Sequence, residues 1–281
     1  MLTVASEEKE NSTVSVIIVT HNSQKVIDRC LDRIQNQTIR PKQIIIVDSG
    51  SDETDYLQNY RFIQECTVHL SPNRGFGAAN NLGITLLETV PTYSLFVNPD
   101  TFIEHSCIEE GMKIMSQNQD IAILTGNLKG YSRETDQPTG LLDSTGIFRK
   151  WYGRWYDRDQ GLPEGSIQRK AGDIPAICGA FMFCRSQALE SEFPLLFDES
   201  FSMYKEDIDL SIRLRKRGWK MYYTPELSAF HCRGWSQDRK RIDRKIRLLA
   251  AQNEIRLCFK HRSPYILWAL LKYTLVRFCN I

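Results

Sequence analysis

The stretch VSVIIVTHNSQKVIDRCLDRIQNQTIRPKQIIIVDSGSD, residues 14–52, decides the fold class of this chain. Its two ends, Val14-Ser15-Val16-Ile17-Ile18-Val19 and Gln43-Ile44-Ile45-Ile46-Val47, are short β-branched runs of the kind that form strands covered on both faces. Between them Val26, Ile27, Cys30, Leu31 and Ile34 recur at helical spacing, after Asn22-Ser23, either of which caps a helix start well. The result is a β-α-β unit, and the alternation continues. It predicts a weak helix near residues 53–64, a strand near 67–70, a helix near 78–88, a strand at 93–97, a helix near 105–117 and a strand at 121–124. Such alternation builds an α/β sandwich on a mostly parallel sheet.

In sheets of this kind ligands sit beyond the carboxyl ends of the strands, where helix N-termini and loop amides converge. Four polar strand ends are therefore candidates for one cleft: Thr20-His21-Asn22, Asp48-Ser49-Gly50-Ser51-Asp52, Ser71-Pro72-Asn73-Arg74-Gly75 and Asn98-Pro99-Asp100. Beyond them, residues 127–170 loosen into glycine, proline, charge and aromatics. Trp151, Tyr152, Trp155 and Tyr156 there form either a substrate-side insertion or a surface hairpin with its own aromatic cluster. Regular structure resumes at 174–184, with a helix over 205–217 and two short strands at 219–223 and 227–231.

Composition sets the outer bounds. A chain of 281 residues, 42% hydrophobic and 25% charged, has apolar content for one large domain with an appended segment and is not a disordered chain. The formal net charge of +2 carries no information on nucleic acid or membranes, and no nucleic-acid partner is expected. The eight cysteines form no CxxC pair and several lie in apolar runs, which suits a reducing, cytosolic compartment. The polar, acid-rich residues 1–13 read as an N-terminal tail without a secretory signal.

Three segments carry chemistry. Asp100, at the end of an apolar strand, either ligates a hard divalent cation through oxygen or caps the turn that Pro99 begins. Glu206 and Asp207 open an arginine-rich helix where the helix dipole favours acids, while Phe197, Phe201, Met203 and Tyr204 form an aromatic approach that shields a carboxylate and raises its basicity. Capping alone also accounts for acids there. His231, at a strand end ahead of Gly234 and Ser236, is either structural or a metal ligand. No second Cys or His stands at zinc spacing, which excludes a structural zinc site. The glycine-rich run 73–81 (NRGFGAANN) precedes a helix and offers backbone amides to an anion.

Taken together, VIIVTHN (16–22), IVDSGSD (46–52), NRGFGAANN (73–81), NPD (98–100), GAFM (179–182), EDIDLSIRL (206–214) and HCRGWS (231–236) resemble glycosyltransferase family 2, in particular its rhamnosyltransferase-like and galactofuranosyltransferase-like members. The resemblance spans 14–236. It implies a GT-A type nucleotide-binding fold and inverting transfer from a nucleotide-sugar donor such as dTDP-rhamnose or a UDP-sugar. It implies Thr20 and Asp48 in the nucleoside pocket, with Asn22, Ser49, Asn73, Gly77, Asn80 and Asn98 also on the donor side. Gly179 and Ala180 would leave room for the sugar. It implies Asp100 and His231 as ligands of Mg²⁺ or Mn²⁺, Asp207 as the base that deprotonates the acceptor hydroxyl, and Glu206 as the residue that orients Asp207 or touches the acceptor. Asn98 and Ser49 stand where many members carry acids, which weakens the metal site and leaves uridine against thymidine open. A nucleotidyltransferase and a catalytically silent nucleotide-sugar-binding protein are the competing readings; no Lys/Arg-rich triphosphate loop supports the first.

The last segment, 237–281, is basic at Arg239-Lys240-Arg241, Arg244-Lys245, Arg247, Arg256, Lys260 and Arg262, then apolar after Pro264. A spanning helix needs about 20 apolar residues, and this run is shorter and interrupted. It reads either as helices lying on an anionic membrane surface, with a lipid-linked saccharide acceptor, or as a helix pair packed on the domain or on a second copy in a homodimer.

Overall fold

The computed structural model describes residues 12–232 and 243–279; the N-terminal tail up to 11, Gly234, Ser236 and the Arg239–Arg241 run lie outside the described residues. The chain runs β1 (Val14–Thr20), α1 (Ile27–Gln35), β2 (Gln43–Ser49), a 3₁₀ helix (Asp55–Phe62), β3 (Cys66–Ser71), α2 (Phe76–Thr85), β4 (Tyr93–Val97), β5 (Thr101–Ile103) and α3 (Cys107–Gln117). It continues through β6 (Ile121–Ser132), β7 (Gln137–Ser144), β8 (Ile147–Arg149), β9 (Trp155–Asp157), β10 (Gly172–Asp173), β11 (Phe181–Arg185), α4 (Ser186–Glu190), α5 (Glu206–Lys216), β12 (Lys220–His231), α6 (Arg244–Lys260) and α7 (Ile266–Thr274).

The main sheet has the order β10-β12-β6-β11-β4-β1-β2-β3, with β5 added to β12 and β7 to β6. Strands β3, β2, β1 and β4 are parallel, β11 runs antiparallel between β4 and β6, and β12 is parallel to β6. Every residue of β1 and β2 is buried, as a run apolar on both faces requires. Val16, Ile18, Ile44 and Ile46 face a layer that includes Ile27, Leu31 and Ile34 of α1 and Ile108 of α3, while Ile17, Ile45 and Val47 face Ala79 of α2 and Leu210 and Leu214 of α5. Helix α2 approaches β1 so closely that a Cβ on Gly83 would stand 2.6 Å from Ile17 Cγ2, so a residue that is poor in a helix interior is the one that fits.

Four local features differ from the sequence-based expectation. The weak helix over 53–64 is a 3₁₀ helix whose Leu57 and Tyr60 are its buried residues. Strand β6 runs on to Ser132 because it pairs with both β7 and β12. The two strands expected at 219–223 and 227–231 are one strand, β12, whose register against β6 shifts between Tyr223 and Ser228. Pro225, which has no N–H to give a ladder, lies in that break. The aromatic cluster divides: Trp155 and Tyr156 line the main cleft, whereas Trp151 and Tyr152 stack edge to face and Tyr152 meets Trp268 of α7 at 4.7 Å.

The described part of the C-terminal segment packs on the domain. Helix α6 buries Ala251, Asn253, Glu254, Leu257 and Cys258. The Asn253 amide donates to the carbonyls of Met203 (2.7 Å) and Tyr204 (3.1 Å), and Lys260 reaches Asp198 at 2.6 Å, so α6 fastens the approach to α5. At its centre Asp209 of α5, 0% exposed, accepts from Arg213 Nε (2.8 Å), Lys260 Nζ and His261 Nε2 (2.8 Å). Burial pushes the Asp209 carboxyl up, but His261, Lys260 and Arg213 outweigh it and hold it at about 2. Removing one partner of such a buried cluster strands charge and costs about 3–5 kcal/mol. Asp209→Asn is therefore expected to lower the urea midpoint sharply at neutral pH. Because the folded carboxyl is depressed below its unfolded value, its contribution is full above about pH 5 and fades as pH falls toward 2. The midpoint gap between the native chain and Asp209→Asn should narrow over that window; a pH-independent gap would refute the charge cluster as the cause.

Candidate active site

A cleft of about 860 Å³ opens beyond the carboxyl ends of β1, β2 and β4. Of the residues singled out in the sequence, Thr20, Asn22, Ser49, Asn73, Asn98, Asp100, Gly179, Ala180, Glu206, Asp207 and His231 line it. Asp48, Gly77 and Asn80 do not. Asp48 is 1% exposed and folds the loop beneath the floor, accepting the Ser51 amide at 2.9 Å and the Ser51 hydroxyl. Gly77 lets α2 sit against Phe197, whose Cβ would lie 3.1 Å from an added Cβ. The Asn80 amide is turned into its own helix, onto the Phe76 carbonyl at 3.0 Å.

The side of the cleft at the ends of β1 and β2 is built from loop-to-loop hydrogen bonds. Thr20 Oγ1 and Tyr56 Oη lie 3.1 Å apart. Asn22, at φ +51°, and Asp52 exchange two hydrogen bonds of 2.8 and 2.9 Å, which ties the end of β1 to the turn after β2. His21 Nδ1 meets the Ser49 carbonyl at 3.0 Å, while the buried Ser49 hydroxyl has no hydrogen-bond partner. Asn73 accepts from the Gly75 amide at 3.1 Å, and Gly75, at φ +91°, runs so close to the Ser202 carbonyl that no Cβ fits.

Asp100 and His231 meet across the β5–β12 pair, with His231 Nε2 at 3.5 Å from Asp100 Oδ1. His231 Nδ1 lies 2.8 Å from Asp143 Oδ2, a β7 carboxylate that sequence reasoning missed, because only the register of β7 on β6 brings it there. Burial pulls the imidazole down, but hydrogen bonds to Asp100 and Asp143 win and raise it to about 9. Asp100 is pushed up by burial and pulled down further by His231 and Arg133, to about 2. Among the described residues no three His, Cys, Asp or Glu side chains converge as a complete metal cage. Asp100 and His231 nevertheless fit an incomplete one. A carboxylate oxygen and an imidazole nitrogen whose ring partner is fixed by a second carboxylate suit a divalent cation that takes its remaining ligands from phosphate and water.

The acid pair lies at the start of α5, behind Tyr204 and Lys205, both in the left-handed region at φ +70° and +80°. Asp207 keeps part of its surface open to the cleft; its Oδ2 accepts from the Gly179 amide at 2.9 Å and its Oδ1 from the Ile208 amide at 2.7 Å. A Cβ on Gly179 would stand at an ordinary 3.5 Å from Asp207, so glycine is not forced there by packing and leaves open volume. Glu206 is 6% exposed and its Oε2 has no hydrogen-bond partner. Burial, then the neighbouring Asp207 charge, pushes Glu206 up to about 8. Burial raises Asp207 too, against the Gly179 amide. Asp207 thus accepts two amides from neighbouring residues, while burial and the Asp207 charge both favour the protonated form of Glu206.

Residues 15–193 match the family model described as glycosyl transferase family 2. EpsH of Bacillus subtilis, a putative glycosyltransferase, is 27% identical over 138 residues, 48% of this chain and 38% of that protein. The chain thus spans well under half the length of that relative. The N-acetylglucosaminyl-diphospho-decaprenol L-rhamnosyltransferase of Mycobacterium tuberculosis is 24% identical over 245 residues, 80% of this chain and 77% of that one. In fold, a crystal structure of GalNAc-T7 with UDP, GalNAc and Mn²⁺ matches with a TM-score of 0.69 at 15% identity, over 89% of this chain and 48% of that chain. The architecture is accordingly of the GT-A type. The family model covers more than half of the chain, from β1 through β11, and the fold agrees with it: the chain belongs to glycosyl transferase family 2.

Proposed function

We propose that this protein is an inverting glycosyltransferase that moves one sugar, from a UDP-sugar or dTDP-rhamnose, to a hydroxyl of a saccharide or lipid-linked saccharide in polysaccharide assembly. The observation that carries the reading is the shared cleft of Asp207, which accepts the Gly179 amide, and the Asp100–His231–Asp143 cluster. Asp207 takes the proton of the acceptor hydroxyl. The acceptor oxygen forms its bond to the anomeric carbon as the bond from that carbon to the diphosphate breaks, and the electron pair leaves with the diphosphate. One base on the face opposite the leaving group suffices for a single displacement with inversion. Asp100 and His231 would hold Mg²⁺ or Mn²⁺, which supplies charge for the leaving diphosphate when bound. Protonated Glu206 acts as a hydrogen-bond donor that holds the acceptor hydroxyl against Asp207. Thr20 and Ser49 face the nucleoside, and Gly179 and Ala180 leave the space in which the sugar lies.

The acceptor side points to a surface as well as a cleft. No helix among the described residues is long and apolar enough to cross a membrane. Helices α6 and α7 bury one side on the domain, yet Leu267, Leu270, Leu271 and Phe278 stay exposed together with Lys245 and Arg244 at the start of α6. That combination suits peripheral contact with an anionic bilayer on the cytosolic face.

Nucleotide release from a panel of UDP- and dTDP-sugars, with and without Mn²⁺ or Mg²⁺, tests the reaction. Release is expected with one donor and is expected to fall by about 10²–10⁴-fold in Asp207→Asn. Donor binding with equal release, or none, in both proteins once lipid-linked acceptors are supplied would reject the assignment of the base. A second expectation concerns Glu206: as pH rises through about 8 the native kcat/KM declines because the donor proton is lost. Glu206→Gln, which keeps a donor at all pH values, should flatten that limb; an unchanged limb would remove Glu206 from the acceptor site. Co-sedimentation should show binding to vesicles containing phosphatidylglycerol, lost in 0.5 M salt and absent with phosphatidylcholine alone; indifference to headgroup charge would exclude the electrostatic contact.

A further inference from the structure

Arg133 sits at the tip between β6 and β7, with its guanidinium bonded to Asp100 in the cleft. The side chain is 54% exposed, so unlike His231 it is not closed in by packing. Only the Arg133 end of the pair faces solvent, so its guanidinium leaves Asp100 for another anion without unpacking a buried cation. The tip that carries it is firmly placed. Arg29 of α1 clamps Asp136 with two hydrogen bonds of 2.6 and 2.8 Å and lies over the rings of Phe102 and Tyr131 at 5.5 and 5.1 Å. Tyr131 closes the loop by donating to the Asp136 carbonyl at 2.7 Å. A half-exposed guanidinium on a latched hairpin, lining the cleft beside Asp100, has one chemical use beyond neutralising that carboxylate. A planar fork of N–H donors matches two phosphate oxygens at once.

We propose that Arg133 is a ligand of the donor diphosphate, held over the cleft by the Arg29–Asp136 latch, and that it exchanges Asp100 for phosphate oxygens when the nucleotide enters. This rests on the glycosyltransferase reading above. Without nucleotide, Arg133 is a second positive partner of the buried Asp100 carboxylate, beside His231. With nucleotide, Asp100 is released to a divalent cation at the moment the diphosphate gains a guanidinium. The exchange couples donor binding to metal binding, because the same side chain blocks one and supports the other.

Calorimetric titration decides the matter, using whichever of UDP or dTDP the native chain binds and the corresponding monophosphate, each with and without Mn²⁺. In Arg133→Ala, diphosphate affinity should fall by about 10–100-fold, the yield of one or two lost charge-assisted hydrogen bonds, while monophosphate affinity changes by less than about twofold. Arg133→Lys should recover part of the loss, and Asp136→Ala, which frees the hairpin tip, should show an intermediate loss. In the nucleotide-free protein, Arg133→Ala should bind Mn²⁺ more tightly than the native chain. Tighter Mn²⁺ binding with unchanged diphosphate affinity would reduce Arg133 to a counter-ion of Asp100 and overturn the proposal. Equal losses for monophosphate and diphosphate would overturn it as well, placing the contact at the nucleoside end. A native chain that binds neither diphosphate in any condition would instead sink the glycosyltransferase reading on which the proposal stands.

Discussion

The parallel pairing of β1 with both β2 and β4 is the constraint from which the site follows. Ser15 to Thr20 lie in register with Gln43 to Asp48 on one side, and Val14 to Ile17 with Tyr93 to Phe96 on the other. Parallel strands buried on both faces must all end at one edge, and their connections must cross back over the faces. The polar ends therefore have no freedom to scatter. Thr20, Ser49 and Asn98 converge because the apolar residues before them leave one way to bury both faces. Strand β11, inserted antiparallel between β4 and β6, turns Gly179 and Ala180 toward the same edge from the opposite direction.

Electrostatics divides the cleft into two ends of different character. At one end hydrogen bonds and charge from His231 and Arg133 outweigh burial and hold Asp100 below the usual carboxylate range, and hydrogen bonds to Asp100 and Asp143 raise His231. At the other, burial raises both Glu206 and Asp207, the Asp207 charge raises Glu206 further, and the Gly179 and Ile208 amides and Lys205 oppose the rise at Asp207. Carboxylates in one cavity are thus driven in opposite directions: cationic partners hold Asp100 below the usual range, and burial pushes Glu206 and Asp207 above it. The sequence spacing alone would not separate the roles. Neighbouring charge and burial do so.

The strand runs at 14–19 and 43–47, the strand at 93–97 and the acid-led helix at 206–216 were legible because each depends on residues close in sequence. The polar strand ends were legible for the same reason, once the fold class was set. Asp143 and Arg133 were not. Each is a polar residue in a loosened segment, and its place is fixed by the register of β7 on β6 and by a ring contact to Phe102, which no periodicity encodes. Asp48, Asn80 and Gly77 illustrate the reverse: they stand in motifs that surround the cleft, yet turn inward to shape loops and helix packing. The C-terminal segment was legible as amphipathic, but its partner was not, because a basic helix looks alike whether its charges meet lipid headgroups or buried carboxylates. Asp209 settles it for Lys260 and His261.

The Asp209 cluster also sets an order of events. The carboxylate and its Lys260 partner are 51 positions apart, and the carbonyls of Met203 and Tyr204 await an asparagine 50 and 49 positions later. During synthesis the sheet and the Asp100–His231 pair can form before those partners leave the ribosome, whereas the turn ahead of Glu206 and Asp207 cannot be fastened until α6 has emerged. A nascent chain therefore completes the Asp100–His231 end of the cleft before the turn ahead of Glu206 and Asp207 gains its α6 partners.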